Sequence, residues 1–305
     1  PQDLSGSWRT RDEYGLVMNK SEGTSFQSFG ERRVDYYFDE FGVRSSLVSN
    51  SNPERKVLVL GDSFAFGWLL NIEDTYIELL AQANKQHTFI NAAAGGWGAA
   101  DYTAYLETYC LKIKPDITLI VMNADDIGRM LRSKLYTYNS DTKLVTRSKY
   151  ELTSRDHLKS ILNAFPLYSY LIENSHLFSL SRSSYLGSNT ARRKENDLEQ
   201  PKVSTFGAFN VASIDQSNQF SLAMFAHLKE ISKICETDLR VIFTGVQEKN
   251  NLGTYPTLEF IDYAKRERFF EEVGITFIDL TSNPHIINYR NNLSKYTIKN
   301  DGHPN

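Results

Sequence analysis

The chain has 305 residues, enough for two domains of roughly 150 residues or for one large α/β domain, and its 41% apolar and 23% charged residues are those of an ordinary globular protein rather than a disordered or fibrous one. Thirty-four Lys plus Arg against thirty-seven Asp plus Glu leave a formal net charge of −3, which argues against nucleic acid as a partner. No apolar run approaches the ~18 residues of a membrane span, and the two cysteines, Cys110 and Cys235, suggest neither a disulfide framework nor a Cys-x-x-Cys metal site.

The sequence opens at Pro1 rather than Met, which suggests a removed leader or anchor and an exported (periplasmic or secreted) protein. Residues 1–52 read as a polar N-terminal segment with an aromatic strand at 34–38 and a turn at 40–42, a brace or lid rather than a domain. Asn19 and Asn292 head Asn-x-Ser sequons, relevant only in a eukaryotic secretory protein. From residue 56 apolar run, Gly-containing turn and helix alternate, the pattern of a parallel sheet covered on both faces. Strands are predicted at 57–60, 88–91, 117–122, 239–244 and 275–280, and helices at 73–86, 100–113 and 220–235, the second stopped by Pro115. Tyr76, Ile77, Leu79, Leu80 and Ala83 give the first helix an apolar side, and Tyr102, Tyr105, Leu106, Tyr109, Cys110 and Ile113 do so for the second. Between 122 and 239 the chain is longer than a crossover requires. A cap insertion, where substrate specificity would sit, is therefore assigned to about 128–218, and its Ser-, Asn- and charge-rich part at 181–218 is expected to be a mobile loop. The expected fold is α/β: a three-layer α/β/α sandwich with a central parallel sheet in a domain spanning 53–305.

The strand at 57–60 runs directly into Gly61, Asp62 and Ser63, which lifts Ser63 to the carboxyl edge of the sheet. Open α/β sheets bind their ligands at that edge; the plainer reading is that Asp62 or Ser63 caps a helix. No Gly-Lys-Ser/Thr follows, so the turn is not a P-loop. Far downstream, Asp301 stands two residues before His303. A serine nucleophile needs a base and the base an orienting carboxylate, and this pair can provide both; a surface turn is the alternative. His87, His157, His176, His227 and His285 are scattered without an i, i+4 pair, so no metal site is expected. Trp97 could line an acyl pocket, stack on a sugar or simply pack, and Tyr136 and Tyr138 carry the same ambiguity. Arg192, Arg193 and Lys194 fit a solvated surface.

Taken in order, four stretches resemble blocks of the SGNH hydrolases, also called GDSL esterases and lipases, in their bacterial form. Gly61, Asp62, Ser63 and Phe64 are similar to the first block, with Ser63 as nucleophile. The stretch from Asn91 to Gly98 looks like the second, in which Gly96 would lend its N–H to the oxyanion hole beside that of Ser63. Pro115 and Asp116, followed by a strand and then Asn123, Ala124, Asp125 and Asp126, resemble the third. Asp301, Gly302 and His303 resemble the last, with His303 as base and Asp301 as its carboxylate. The turn carrying Gly42 and Arg44 also resembles a Gly-x-Arg turn that often precedes this domain. The resemblance spans about 36–305 without the cap, and it implies the flavodoxin-like SGNH fold and a serine esterase that uses no cofactor and no metal. The implied substrate is a small-molecule or glycan ester, carrying a short acyl or O-acetyl group, cleaved through an acyl-enzyme.

Two features depart from the pattern. The family's oxyanion-hole asparagine falls on Asp125, and an ionised carboxylate cannot donate to an oxyanion. Three readings follow: Asp125 is protonated, Asn123 serves in its place, or the site is impaired. The sequence also stops at Asn305, where the family continues into a helix, which suggests a truncated sequence or a disordered end. A carbohydrate O-acetyltransferase of the same fold, and a non-catalytic binding module with a degenerate oxyanion hole, are the alternatives.

Overall fold

The computed structural model describes residues 3–5, 9–12, 14–48, 50–133, 135–149, 175, 205–206, 209–210, 214–245, 263–298 and 303. The N-terminal segment forms β1 (Asp3–Ser5), β2 (Arg9–Arg11), β3 (Val17–Asn19), β4 (Gly23–Phe29) and β5 (Arg32–Phe38). There β1, β4 and β5 make an antiparallel sheet and β2 pairs with β3. The central sheet is built from β6 (Arg55–Gly61), β7 (His87–Asn91), β8 (Ile117–Met122), β13 (Asp238–Phe243) and β14 (Thr276–Asp279). Between them lie α1 (Ser63–Phe66), α2 (Tyr76–Ala83), α3 (Ala99–Ile113), α4 (Asp125–Arg132), the hairpin β9 (Tyr136–Asn139) and β10 (Leu144–Arg147), the short pair β11 (Thr205–Phe206) and β12 (Phe209–Asn210), α5 (Ile214–Ile234) and α6 (Tyr263–Glu272). After β14 come α7 (Pro284–Asn291) and α8 (Leu293–Tyr296).

The five central strands are parallel, in the order β7-β6-β8-β13-β14. Alternation within each strand divides the apolar residues between two faces. Leu58, Leu60, Ile120, Met122, Leu239, Val241 and Phe243 belong to one large cluster with residues of α3, α5 and α6, including Leu106, Phe225 and Phe270. Val57 and Val59 pack on the other face with Ile77 of α2. The result is the expected three-layer α/β sandwich, with the order reversing between β6 and β8, the place where open sheets of this type hold ligands.

The predicted strands and the helix after the second strand lie within two residues of their observed bounds, and α3 stops at Lys114, in the left-handed region at φ 53, just before Pro115. The first predicted helix is shorter than 73–86. Ile72–Asp74 forms a 3-10 turn, and Thr75 caps α2 by accepting from the Glu78 N–H. Its apolar side is also not the one expected: Leu79 and Leu80 are exposed, whereas Glu78 is buried, accepting from the Ser46 hydroxyl and the Leu47 N–H. Tertiary partners for a carboxylate override helical periodicity there.

The segment assigned to the cap begins inside the main core. Met130, Leu131, Leu135, Tyr136 and Val145, from α4 to β10, are all buried in the large cluster. At its other end, residues 214–218 of the expected loop are the first residues of α5, with Ser217 buried. The rest of the assigned cap, and nearly all of the expected loop, lies outside the described residues.

Cys110 and Cys235 are joined by a disulfide, with a Cα–Cα separation of 5.8 Å, which corrects the expectation from the sequence. The bond pins the C-terminal end of α3 to the residue following α5. Cys110 lies on α3 and Cys235 just beyond α5, and their contact becomes visible only when the chain is folded. Among the described residues, no helix is long and apolar enough to cross a membrane.

Purified under non-reducing conditions and then denatured, the protein should expose no free thiol. Because the cross-link closes a sequence separation of 125 residues, its reduction should lower the unfolding free energy by about 2–5 kcal/mol. Urea titrations with and without dithiothreitol test this; coincident curves would show that the bond contributes nothing.

Candidate active site

The turn that presents Ser63 is fixed by close packing. A Cβ on Gly61 would stand 2.4 Å from the Cβ of Ala65, so the strand can bend into α1 only with glycine there. Asp62 takes the N-cap, its Oδ1 accepting from the Phe64 N–H at 2.9 Å, and Ser63 becomes the first helical residue. Four residues later Gly67, at φ 77, closes the helix with its N–H on the Ser63 carbonyl.

The carbonyls left over at this end are met by Arg44. Its Nη1 donates to the carbonyls of Phe66 (2.9 Å) and Gly67 (2.8 Å), and its Nη2 donates to that of Leu70 (2.6 Å). The guanidinium also lies over the rings of Tyr36 and Phe66. Burial pushes this arginine down to about 10, against opposing pulls from Tyr36, Glu73 and Glu78. The backbone of Arg44 bridges Phe38 and Asn91, which ties the N-terminal segment to the edge strand β7. Asn19 adds a second tie, its amide donating to the carbonyls of Gly42 and Ala93 at 3.0 Å. The side chain of that sequon is therefore buried.

His303 Nε2 lies 2.8 Å from Ser63 Oγ. The imidazole packs near the rings of Phe64 and Trp68, with centroids 5.5 and 5.6 Å away, and the His303 carbonyl accepts the Ile298 N–H. Ser63 itself is 8% exposed. Asp301 lies outside the described residues. In the run 91–100 only Gly96 is exposed, in the left-handed region at φ 79.

Below the serine is a polar cluster that the sequence reading only partly identified. Asp62, fully buried, accepts from Asn123 Nδ2 at 3.1 Å and from Arg129 Nη1 at 3.0 Å. Arg129 Nη1 also donates to the Trp97 carbonyl at 3.0 Å, and Nε donates to Asp125 Oδ2 at 2.7 Å. Asp125 is thus an ion-paired carboxylate, with Arg132 a more distant second partner at 3.8 Å. Asn123 is 1% exposed, its amide turned to Asp62 and its carbonyl taking the Thr244 hydroxyl. Asp126 Oδ2 accepts from the Tyr102 hydroxyl and the Asn123 N–H, each at 2.8 Å. Burial, and then the charge of Asp62, push the Asp126 carboxyl well above the usual carboxylate range. The charges of Asp126, Asp62 and Asp125 outweigh burial at Arg129 and hold its guanidinium protonated more firmly than usual.

Trp97 is 2% exposed within the core, with its Nε1 donating to the Val17 carbonyl, so of the readings open for it in the sequence the structure favours packing. Tyr136 is likewise buried, its hydroxyl donating to Glu107, and Tyr138 packs near Phe220. Of the scattered histidines, His227 is half-buried and pushed down by burial, and His285 is exposed. His157 and His176, with Arg192, Arg193 and Lys194, lie outside the described residues. Among the described residues, no group of three or more His, Cys, Asp or Glu side chains could hold a metal.

The raised Asp126 carboxyl makes stability depend on pH. A carboxyl that keeps its proton in the folded state contributes stability that is fully present below its unfolded value, ~3.9, and that is lost as pH rises through its folded value. The urea midpoint of the wild type should therefore fall with rising pH more steeply than that of Asp126→Asn, whose amide keeps a neutral group in place. Parallel profiles would show that Asp126 folds ionised.

No family model matches the chain. An arylesterase of Vibrio mimicus is 33% identical over 97 residues, which is 30% of this chain and 48% of that protein, so the match spans about half the length of that relative. Three solved structures are similar at low sequence identity. A mutant of Axe2, an acetyl-xylooligosaccharide esterase from Geobacillus stearmophilus, is 14% identical with a TM-score of 0.41 over 83% of this chain and 88% of that one. A putative GDSL-like lipase from Parabacteroides merdae is 13% identical with a TM-score of 0.39 over 84% and 90%. AlinE4, described as an SGNH-hydrolase family esterase, is 12% identical with a TM-score of 0.37 over 78% and 84%. The chain is thus similar to SGNH and GDSL esterases and lipases, the group that its four sequence blocks resemble.

Proposed function

We propose that the chain is a serine esterase. The observation that carries this reading is the Ser63 Oγ–His303 Nε2 contact of 2.8 Å at the carboxyl edge of the sheet, where the strand order reverses. In the proposed reaction His303 Nε2 takes the hydroxyl proton as Ser63 Oγ attacks the ester carbonyl, and the carbonyl electron pair moves onto oxygen. Collapse of the tetrahedral species expels the alkoxide, which takes the proton back from His303 and leaves an acyl-serine. Water then enters by the same route and releases the acid. Asp301 would orient the imidazole, and the N–H groups of Ser63 and Gly96 would face the oxyanion. The substrate class inferred from the resemblance is a short acyl or O-acetyl ester, a glycan ester included.

Asp125 keeps the non-catalytic binder as the competing reading, since a carboxylate tied to Arg129 offers no hydrogen to an oxyanion. Turnover separates the two. Wild-type protein should hydrolyse p-nitrophenyl acetate and gain one adduct with a fluorophosphonate. Ser63→Ala should keep its melting temperature, lose the adduct and lose turnover by more than about 10³-fold. A Ser63→Ala protein with most of the wild-type rate would place the nucleophile elsewhere, and a wild type with neither turnover nor adduct would favour the binder.

A further inference from the structure

We propose that Arg129 is a catalytic residue whose Nη2 donates to the oxyanion, in place of the side-chain amide that Asp125 cannot offer; this rests on the esterase reading above. The guanidinium is anchored at three points. Nη1 bonds Asp62, the residue before Ser63, and the carbonyl of Trp97, the residue after Gly96; Nε bonds Asp125. It therefore sits among the three chain segments from which the donors of the hole come. A further contact joins Nη1 to Asp126 Oδ1 at 3.4 Å, and among the described residues none of the hydrogen bonds of Arg129 uses Nη2. The side chain nevertheless keeps 19% of its surface open.

The two side chains that the sequence offered for this place are engaged elsewhere. Asp125 accepts from Arg129, and Asn123 is buried with its amide on Asp62. A planar guanidinium anchored through both Nε and Nη1 holds its third nitrogen, Nη2, in a fixed orientation, which a lysine ammonium cannot reproduce. When Ser63 Oγ bonds to the carbonyl carbon, the π pair becomes a full charge on oxygen, and a hydrogen bond from a cation to that charge is stronger than one to the neutral ester. On collapse the pair returns to the carbonyl and the proton on His303 leaves with the alkoxide, so Arg129 gains and loses nothing. The carboxylates Asp62 and Asp125 offset the arginine's charge in the resting site. The gain therefore falls on the transition state and on kcat.

The test uses the full chain, with active sites counted by fluorophosphonate and steady-state kinetics on p-nitrophenyl acetate. Per titrated site, Arg129→Gln should lower kcat by about 10²–10³, the cost of losing one oxyanion donor, with KM changed by less than about threefold. A boronic acid that forms a tetrahedral adduct with Ser63 should bind more weakly by a similar factor. Arg129→Lys keeps a cation among the carboxylates and so protects folding if the glutamine variant fails to fold; it should still lose at least about tenfold in kcat. A merely structural role would lower the melting temperature and the number of titratable sites but leave kcat per site within about threefold of wild type, and that result overturns the inference. A wild type that neither turns over nor labels at Ser63 overturns the esterase reading and this inference with it. An active, labelled wild type whose Arg129 variants are equally fast overturns this inference alone.

Discussion

The buried carboxylate of Asp62 is the interaction on which the site depends. A charge with no solvent contact is costly unless it is fully paired and hydrogen-bonded. Asp62 meets that demand with one backbone N–H from its own helix, one amide from the end of β8 and one guanidinium from α4. The strand register makes this possible: Gly61 of β6 pairs with Val121 of β8, so the residues just beyond each strand, Asp62 and Asn123, emerge side by side at the carboxyl edge. A single acid thus couples the turn that carries Ser63 to the neighbouring strand and to the helix that follows it. Removing any partner leaves part of that charge unmet directly beside the serine.

A second layer of support comes from the other side. α1 has only four residues, so it offers little hydrogen bonding of its own and its trailing carbonyls need outside donors. Arg44 gives them a fork of charge-assisted bonds from within the N-terminal segment, and the arginine is itself fixed by its bridge to Asn91. The segment before β6 is therefore part of the scaffold around Ser63.

What the sequence revealed follows from what local patterns can encode. Strands buried on both faces read as short apolar runs between turn residues, so β6, β7, β8, β13 and β14 were all legible, as was the turn after β6 that presents Ser63. Contacts between distant segments were not. Cys110 and Cys235 are unremarkable members of two predicted apolar helices until the fold brings α3 and the residue after α5 together. Trp97 follows a glycine of the second block and could pack or face a ligand, and the Val17 carbonyl of the N-terminal segment is the distant partner of its buried indole. Glu78 occupies a helix face whose polarity is set by Ser46 and Leu47, far away in sequence. Arg129 did leave a local signal: it stands four residues after Asp125 and three after Asp126, the spacing of facing side chains on a helix. That pattern is so common on solvated helices that it carried no weight without Asp62 beside it.

The contact between Ser63 and His303 spans 240 residues. Loop closure over such a length is entropically slow, and contacts of this range form after the local ones. During synthesis the serine turn, the first strands and their crossover helices can assemble while the imidazole has yet to be made. On the esterase reading, the hydroxyl of Ser63 would stay an ordinary alcohol throughout that interval and acquire its base only when His303 docks against it. Nucleophile strength would then depend on long-range folding, and a partly unfolded chain would keep its serine chemically silent.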